Sequence, residues 1–145
     1  MKERKNDQKQ VIYYLDDSIP LLEAFSLMAE IYDCTVVIYS DPFEFLKEVK
    51  TVSHHDHILL VDFNLKLPSI NGIKVIENLK SDDYGGFASI YLFTGQELDQ
   101  EIIKGLCSFN PSRVSYLKKN NESFIYLLEK RLGLCSVDED VGIKK

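Results

Sequence analysis

Short runs of apolar residues, many β-branched or aromatic, alternate along the chain with stretches whose apolar positions recur every three or four residues. The first pattern predicts strands and the second amphipathic helices. Strands are predicted at Val11–Leu15, Thr35–Tyr39, 58–61, 89–93 and 114–117. The third, Ile58-Leu59-Leu60-Val61, has no polar position, as expected of a central parallel strand covered on both faces. Between the strands, Leu21, Phe25, Met28, Ala29 and Tyr32 mark a first helix, and Phe43, Leu46 and Val49 a second. Ile73, Ile76 and Leu79 mark a third, Leu98, Ile102 and Leu106 a fourth, and Phe124, Leu127, Leu128 and Leu132 a fifth. The punctuation agrees with this division. Ser18 with Pro20, and Ser40-Asp41-Pro42, supply a cap and a first-turn proline. Asn71-Gly72 precedes the third helix, residues 81–88 with Gly85-Gly86 break it, Asn110-Pro111 stops the fourth and Gly133 closes the fifth.

Strand starts near residues 11, 35, 58, 89 and 114 are spaced as successive βα units require. Five strands alternating with five helices predict an α/β fold, a doubly wound parallel sheet with right-handed crossovers and helices on both faces. No internal repeat or low-complexity segment interrupts it. A chain of 145 residues fits one domain, expected over 10–133. A basic, flexible lead-in over 1–9 and a short tail over 134–145 are expected to flank it. The tail is too short for a second domain, so any output is expected to come from this one.

Composition narrows the function. Hydrophobic residues at 45% and charged residues at 28% exclude disordered and collagen-like classes. The net charge is −6, and Lys2, Arg4, Lys5 and Lys9 against Glu3 and Asp7 leave the body near −8. That sign argues against a nucleic-acid or anionic-membrane surface, both of which need clustered Lys and Arg. No apolar run approaches the roughly 20 residues of a membrane span, and the amino terminus lacks a signal-peptide core. Cys34, Cys107 and Cys135 are odd in number and widely spaced, as expected of free thiols in a reducing cytoplasm.

Polar residues collect where the predicted strands end: Asp16 and Asp17 after the first, Asp62 after the third, Thr94 after the fourth, Lys118 and Lys119 after the fifth. In a doubly wound sheet these ends face one crevice. Three carboxylates there repel one another, and a hard divalent cation such as Mg²⁺ relieves the repulsion with oxygen ligands. The cation would prepare Asp62 to attack a phosphoryl group, while Thr94 and Lys119 could bind two of its oxygens. Each piece alone has a plainer reading. Asp16-Asp17 could be turn and cap chemistry, Asp62 a cap, Thr94-Gly95 a strand end and Lys118-Lys119 a solvated pair. Their conjunction points to chemistry.

Val-Ile-Tyr-Tyr-Leu-Asp16-Asp17, Leu-Val-Asp62 with Pro68 and Asn71-Gly72, Thr94-Gly95, and Ser-Tyr116-Leu-Lys118-Lys119 resemble the receiver domain of two-component response regulators, across about residues 10 to 133. The resemblance implies a flavodoxin-like (βα)5 sandwich with strand order 2-1-3-4-5. It implies a phosphorelay signalling phosphoprotein rather than a turnover enzyme, with Asp62 accepting phosphoryl from a sensor histidine kinase or histidine phosphotransfer protein. Asp17 and Asp62 would ligate Mg²⁺ directly, Asp16 would assist, and the Asn64 backbone carbonyl would complete the protein ligands. Thr94 and Lys119 would contact the phosphoryl group. Tyr116 would be the aromatic switch that moves inward with Thr94. The family pattern and side-to-side alternation along the strand both select Lys119 over Lys118.

Two positions depart from that family. Asn120 follows Lys119 where the family usually has proline after a cis bond. A cis bond costs about 2.5–4 kcal/mol before a non-proline against about 0.5–1 before proline, so a trans bond is expected. Lys66-Leu67 looks like a two-residue insertion between Asp62 and Pro68. Asn64 and Gln96 flank the phosphoryl site in the family, and neither is a good general base. A phosphoryl state that is not short-lived is therefore expected.

Other signals carry less. His54-His55-Asp56-His57 lies on a loop with no second ligand cluster, which predicts a solvated loop rather than a metal site. Tyr13, Tyr14, Tyr39 and Tyr91 fall within strands, as core or sheet-edge residues. No glycine-rich phosphate loop supports nucleotide hydrolysis. Two other functions compete. A phosphatase with an aspartate nucleophile, of the haloacid dehalogenase kind, needs a second carboxylate two positions on, where this chain has Asn64. A phosphorylation-independent pseudo-receiver would keep the fold as a protein-interaction module, and Asn120 with the insertion suits it. A stand-alone receiver would signal through the surface of its fourth helix, fifth strand and fifth helix, either as a monomer or paired through its last helices.

Overall fold

The computed structural model describes residues 11–49, 57–65, 70–95 and 100–131. Strands β1 (Val11–Leu15), β2 (Thr35–Tyr39), β3 (Ile58–Asp62), β4 (Ser89–Thr94) and β5 (Val114–Lys118) form one sheet. Helices α1 (Ile19–Ile31), α2 (Pro42–Val49), α3 (Gly72–Lys80), α4 (Gln100–Cys107) and α5 (Asn121–Arg131) connect or follow them. All paired strands are parallel, in the order β2-β1-β3-β4-β5. This is the doubly wound fold expected from the alternation. The flanking segments 1–10 and 132–145, and with them Leu132, Gly133 and Cys135, lie outside the described residues, as do Lys66-Leu67, Gln96 and Leu98.

The central strand is buried at all five positions, and the sheet divides the core into two layers. Leu59, Val61, Ile90 and Leu92 point to the side covered by α2, α3 and α4. Ile12, Tyr14, Leu60 and Phe93 point to the side covered by α1 and α5. Tyr14, Phe25, Phe93 and Phe124 form an aromatic cluster in that second layer. Cys34 is buried and Cys107 exposed, both as free thiols.

Helix starts follow their caps. Ser18 caps α1, its hydroxyl accepting from the Leu21 amide, and Asn71 caps α3 by accepting from Lys74 at 3.0 Å. Asp41 opens α2, its side chain accepting from the Phe43 amide at 2.9 Å. The apolar face of α2 differs from the expected one. Phe43 is 55% exposed, whereas Pro42, Phe45 and Val49 are buried. Spacings of three and four fit both stripes, and only the sheet decides between them. On α1 the buried line is Leu22, Phe25 and Ala29 rather than one led by Leu21.

The connection between α3 and β4 is more than a helix breaker. Tyr84, at φ 55°, turns its buried ring inward. Arg113 holds this turn through Asp83 at 3.0 Å and the Phe87 carbonyl at 2.6 Å. His57 also departs from the solvated loop expected of its segment. Its Nδ1 accepts from the Val11 amide at 3.2 Å, tying the start of β1 to the start of β3; His54, His55 and Asp56 lie outside the described residues.

Candidate functional site

The carboxyl ends of β1, β3, β4 and β5 meet in one cleft, because a parallel sheet with returning helices brings all of these ends to one edge. Its volume is about 360 Å³, and Asp17, Ser18, Asp62, Asn64, Thr94 and Lys119 line it. Asp16 lies just beneath, 0% exposed. Asp62 and Thr94 are each 2% exposed. Asn64 is exposed at the rim. Lys118 ends β5 in register with Thr94 and faces solvent, while Lys119 turns inward. Tyr116 is half-buried in register with Leu92, which sets it on the side of the sheet covered by α3 and α4.

Lys119 is the hub of the charges. Its Nζ lies 3.0 Å from Asp16 Oδ2 and 3.0 Å from Asp62 Oδ1. The Lys119–Asn120 peptide bond is trans, like every other among the described residues, and the lysine still reaches both acids. Asp16 is held from two further directions. Its Oδ1 accepts from the Ser18 amide at 2.9 Å, and its Oδ2 accepts from the Tyr14 hydroxyl at 2.6 Å. Its strand position alone marks Tyr14 as a core or sheet-edge residue. The available signal was its place two residues before Asp16, which puts both side chains on one side of β1.

The electrostatics follow from this packing. Burial, and then the neighbouring Asp16 carboxylate, push Asp62 up to about 7, and Lys119 and the nearby Asn64 amide pull it back only in part. Burial works against the Lys119 ammonium, but Asp62 and Asp16 outweigh it and raise its pKa above the ordinary value. Burial, reinforced by Asp16, pushes the Tyr14 phenol far up, so it stays a proton donor. Asp62 Oδ2 is buried and accepts no hydrogen bond. Carboxylate oxygens of Asp16, Asp17 and Asp62 lie within 4.8 Å of one another. An all-oxygen set with one orphaned buried acceptor fits a hard divalent cation such as Mg²⁺.

The floor of the cleft also depends on Gly72, which the sequence offers as a turn before α3 and as part of the receiver-like motif. The Gly72 amide donates to the Phe63 carbonyl at 2.9 Å, and a Cβ at Gly72 would sit 2.6 Å from the Asp62 carbonyl oxygen. Only glycine lets α3 approach the end of β3 this closely.

Fold and cleft together define an α/β domain with a buried carboxylate at the end of its central strand. No protein-family model matches the sequence, and no curated protein matches it either. Solved structures do. The chemotaxis protein CheY4 of Vibrio cholerae superposes with a TM-score of 0.67 at 18% identity, over 84% of this chain and 98% of that one. The receiver domain of the Francisella response regulator 1452 gives 0.66 at 16% identity, over 90% and 99%. A CheY-like receiver domain protein of Methanospirillum hungatei gives 0.64 at 16%, over 86% and 94%. The chain has the receiver-domain fold. No helix among the described residues is long and apolar enough to cross a membrane.

Proposed function

We propose that this chain is a response-regulator receiver, a phosphoacceptor whose Asp62 takes a phosphoryl group from a histidine kinase or histidine phosphotransfer protein. The observation that carries the reading is the Asp62 carboxylate. It is buried at the sheet's carboxyl edge, with one oxygen on Lys119 and the other unpaired. An unpaired buried carboxylate oxygen is costly in a merely structural residue and useful in a nucleophile.

In the proposed reaction an Asp62 oxygen attacks the donor phosphorus. A P–O bond forms as the donor's P–N bond breaks, and the electron pair leaves with the imidazole. Lys119, already 3.0 Å from Asp62, then binds a phosphoryl oxygen, and the Thr94 hydroxyl binds another. Asp17, Asp62 and the Asn64 carbonyl would hold Mg²⁺, with Asp16 assisting; the ion would neutralise charge on the transferred oxygens and keep Asp62 ionised at neutral pH. Thr94 and Tyr116 form the switch that carries the change to the surface of α4, β5 and α5, where a protein target reads it. We place the protein's action in the cytoplasm and its receiver domain over residues 10–133. A phosphatase reading is disfavoured because the Asn64 amide cannot serve as a general acid.

The test is incubation with acetyl phosphate and Mg²⁺, read by intact mass, with Asp62→Asn alongside. One added phosphoryl group, lost in the variant and without the cation, supports the reading. No uptake from acetyl phosphate or from any histidine phosphodonor supports the pseudo-receiver instead.

A further inference from the structure

The Tyr14 hydroxyl plays no part in the reaction proposed above, yet it makes a short bond to a carboxylate of the cleft, 2.6 Å to Asp16 Oδ2. Its ring cannot move to choose that bond. It is fully buried and packed edge-on against Phe25 at 5.3 Å, Phe93 at 5.9 Å and Phe124 at 6.0 Å. The hydroxyl is therefore presented from a packed aromatic wall that does not depend on Asp16. Asp16 Oδ2 also takes Lys119, and Oδ1 takes the Ser18 amide. Three donors converge on one buried carboxylate, and Tyr14 is the one whose position the core sets independently of the cleft.

We infer that Tyr14 is a positioning residue: its hydroxyl locks Asp16 so that Oδ2 anchors Lys119 against Asp62 while the carboxylate's charge still faces the cation site. The inference rests on the proposed cation site for its second half and on the Lys119 contacts alone for its first. A hydrogen bond behind a carboxylate near a metal fixes its orientation and sharpens affinity, and losing one typically costs about 10–100-fold in binding. Tyr14→Phe deletes only the hydroxyl and keeps the aromatic packing. It leaves Asp16 free to rotate away from Oδ2 contact, which loosens Lys119 and disorders one wall of the cation site.

Two measurements on the full chain test this. In metal-free protein, the rate at which an amine-reactive reagent labels Lys119, followed by peptide mass mapping, should rise several-fold in Tyr14→Phe while other lysines keep their rates. In calorimetric titration with Mg²⁺, the variant should bind about tenfold more weakly than wild type. Leu128→Ala, a buried truncation in the same core layer, serves as the packing control. It should lower the melting temperature without moving either readout. Unchanged Lys119 labelling in Tyr14→Phe overturns the inference, as does equal Mg²⁺ affinity or an equal response from Leu128→Ala. If wild type binds no Mg²⁺ but the labelling still rises, the anchoring of Lys119 stands and the proposed cation site fails.

Discussion

The buried Asp62 carboxylate carries a cost that Lys119 relieves in part and a bound cation would relieve further, while Asp62 and Asp16 together offset the burial of Lys119. The Asp62 value near 7 lies above its ordinary 3.8 because burial and Asp16 disfavour the charge. Between those values the folded state binds the extra proton, so this residue makes metal-free stability fall as pH rises from about 4 to 7. Asp62→Asn is expected to flatten that slope and, with Asp16 still paired to Lys119, to raise metal-free stability at pH 7.5 by about 1 kcal/mol. Urea denaturation across the pH range checks this, and an unchanged slope would count against the burial argument. Lys119 acts in the same direction but in another pH window: its raised pKa contributes stability that is fully present at neutral pH and is lost as pH rises above its ordinary value near 10.5. Lys119→Met leaves Asp16 and Asp62 buried without a countercharge and is expected to cost about 3 kcal/mol at neutral pH. Acid or millimolar Mg²⁺ should recover part of that loss, as melting curves would reveal. The residue types at this site were legible from strand ends alone. Tyr14 was not, because a tyrosine in a strand reads as core wherever its hydroxyl happens to end.

Among the elements, the informative differences lie at helix starts. Asn120, a departure from proline in the family that the chain resembles, caps α5. Its side chain accepts from the Ser123 amide at 2.9 Å, and its carbonyl accepts from Ser123 and Phe124. The position follows Lys119 directly, so the cap fixes where the helix begins relative to the lysine. Asn120→Ala is expected to cost about 1 kcal/mol in stability, measurable by denaturation. Gly72 is less forgiving. A methyl there would meet two backbone atoms, the Asp62 oxygen at 2.6 Å and the Phe63 Cα at 2.8 Å. Gly72→Ala should therefore push α3 away from β3, costing about 1–3 kcal/mol and weakening Mg²⁺ binding together with stability. The existence and order of the elements could be read from apolar spacing. The inward face of α2 could not, since Phe43 and Phe45 both satisfy a helical period and only contact with the sheet buries Phe45.

Across the whole molecule the two ends of the sheet do different work. The carboxyl end gathers charges around a cleft, while the opposite end is closed by Arg113, which binds Asp83 and the Phe87 carbonyl and lies over the Tyr84 ring at 5.1 Å. Arg113→Ala is expected to lower stability by about 2 kcal/mol without changing Mg²⁺ affinity, because the two sites share no partners. The fold class was legible because five βα units leave a strong period. The Arg113 clamp was invisible beforehand, since it joins residues thirty positions apart through a turn that reads only as a helix stop. The central claim concerns chemistry at one carboxylate. The most direct measurement is borohydride trapping after treatment with acetyl phosphate and Mg²⁺, because reduction of an acyl phosphate leaves homoserine where the acceptor aspartate stood. Tandem mass spectrometry should find homoserine at position 62 and only there. Homoserine at position 16 or 17, or at none of the three under conditions that bind Mg²⁺, would contradict the assignment.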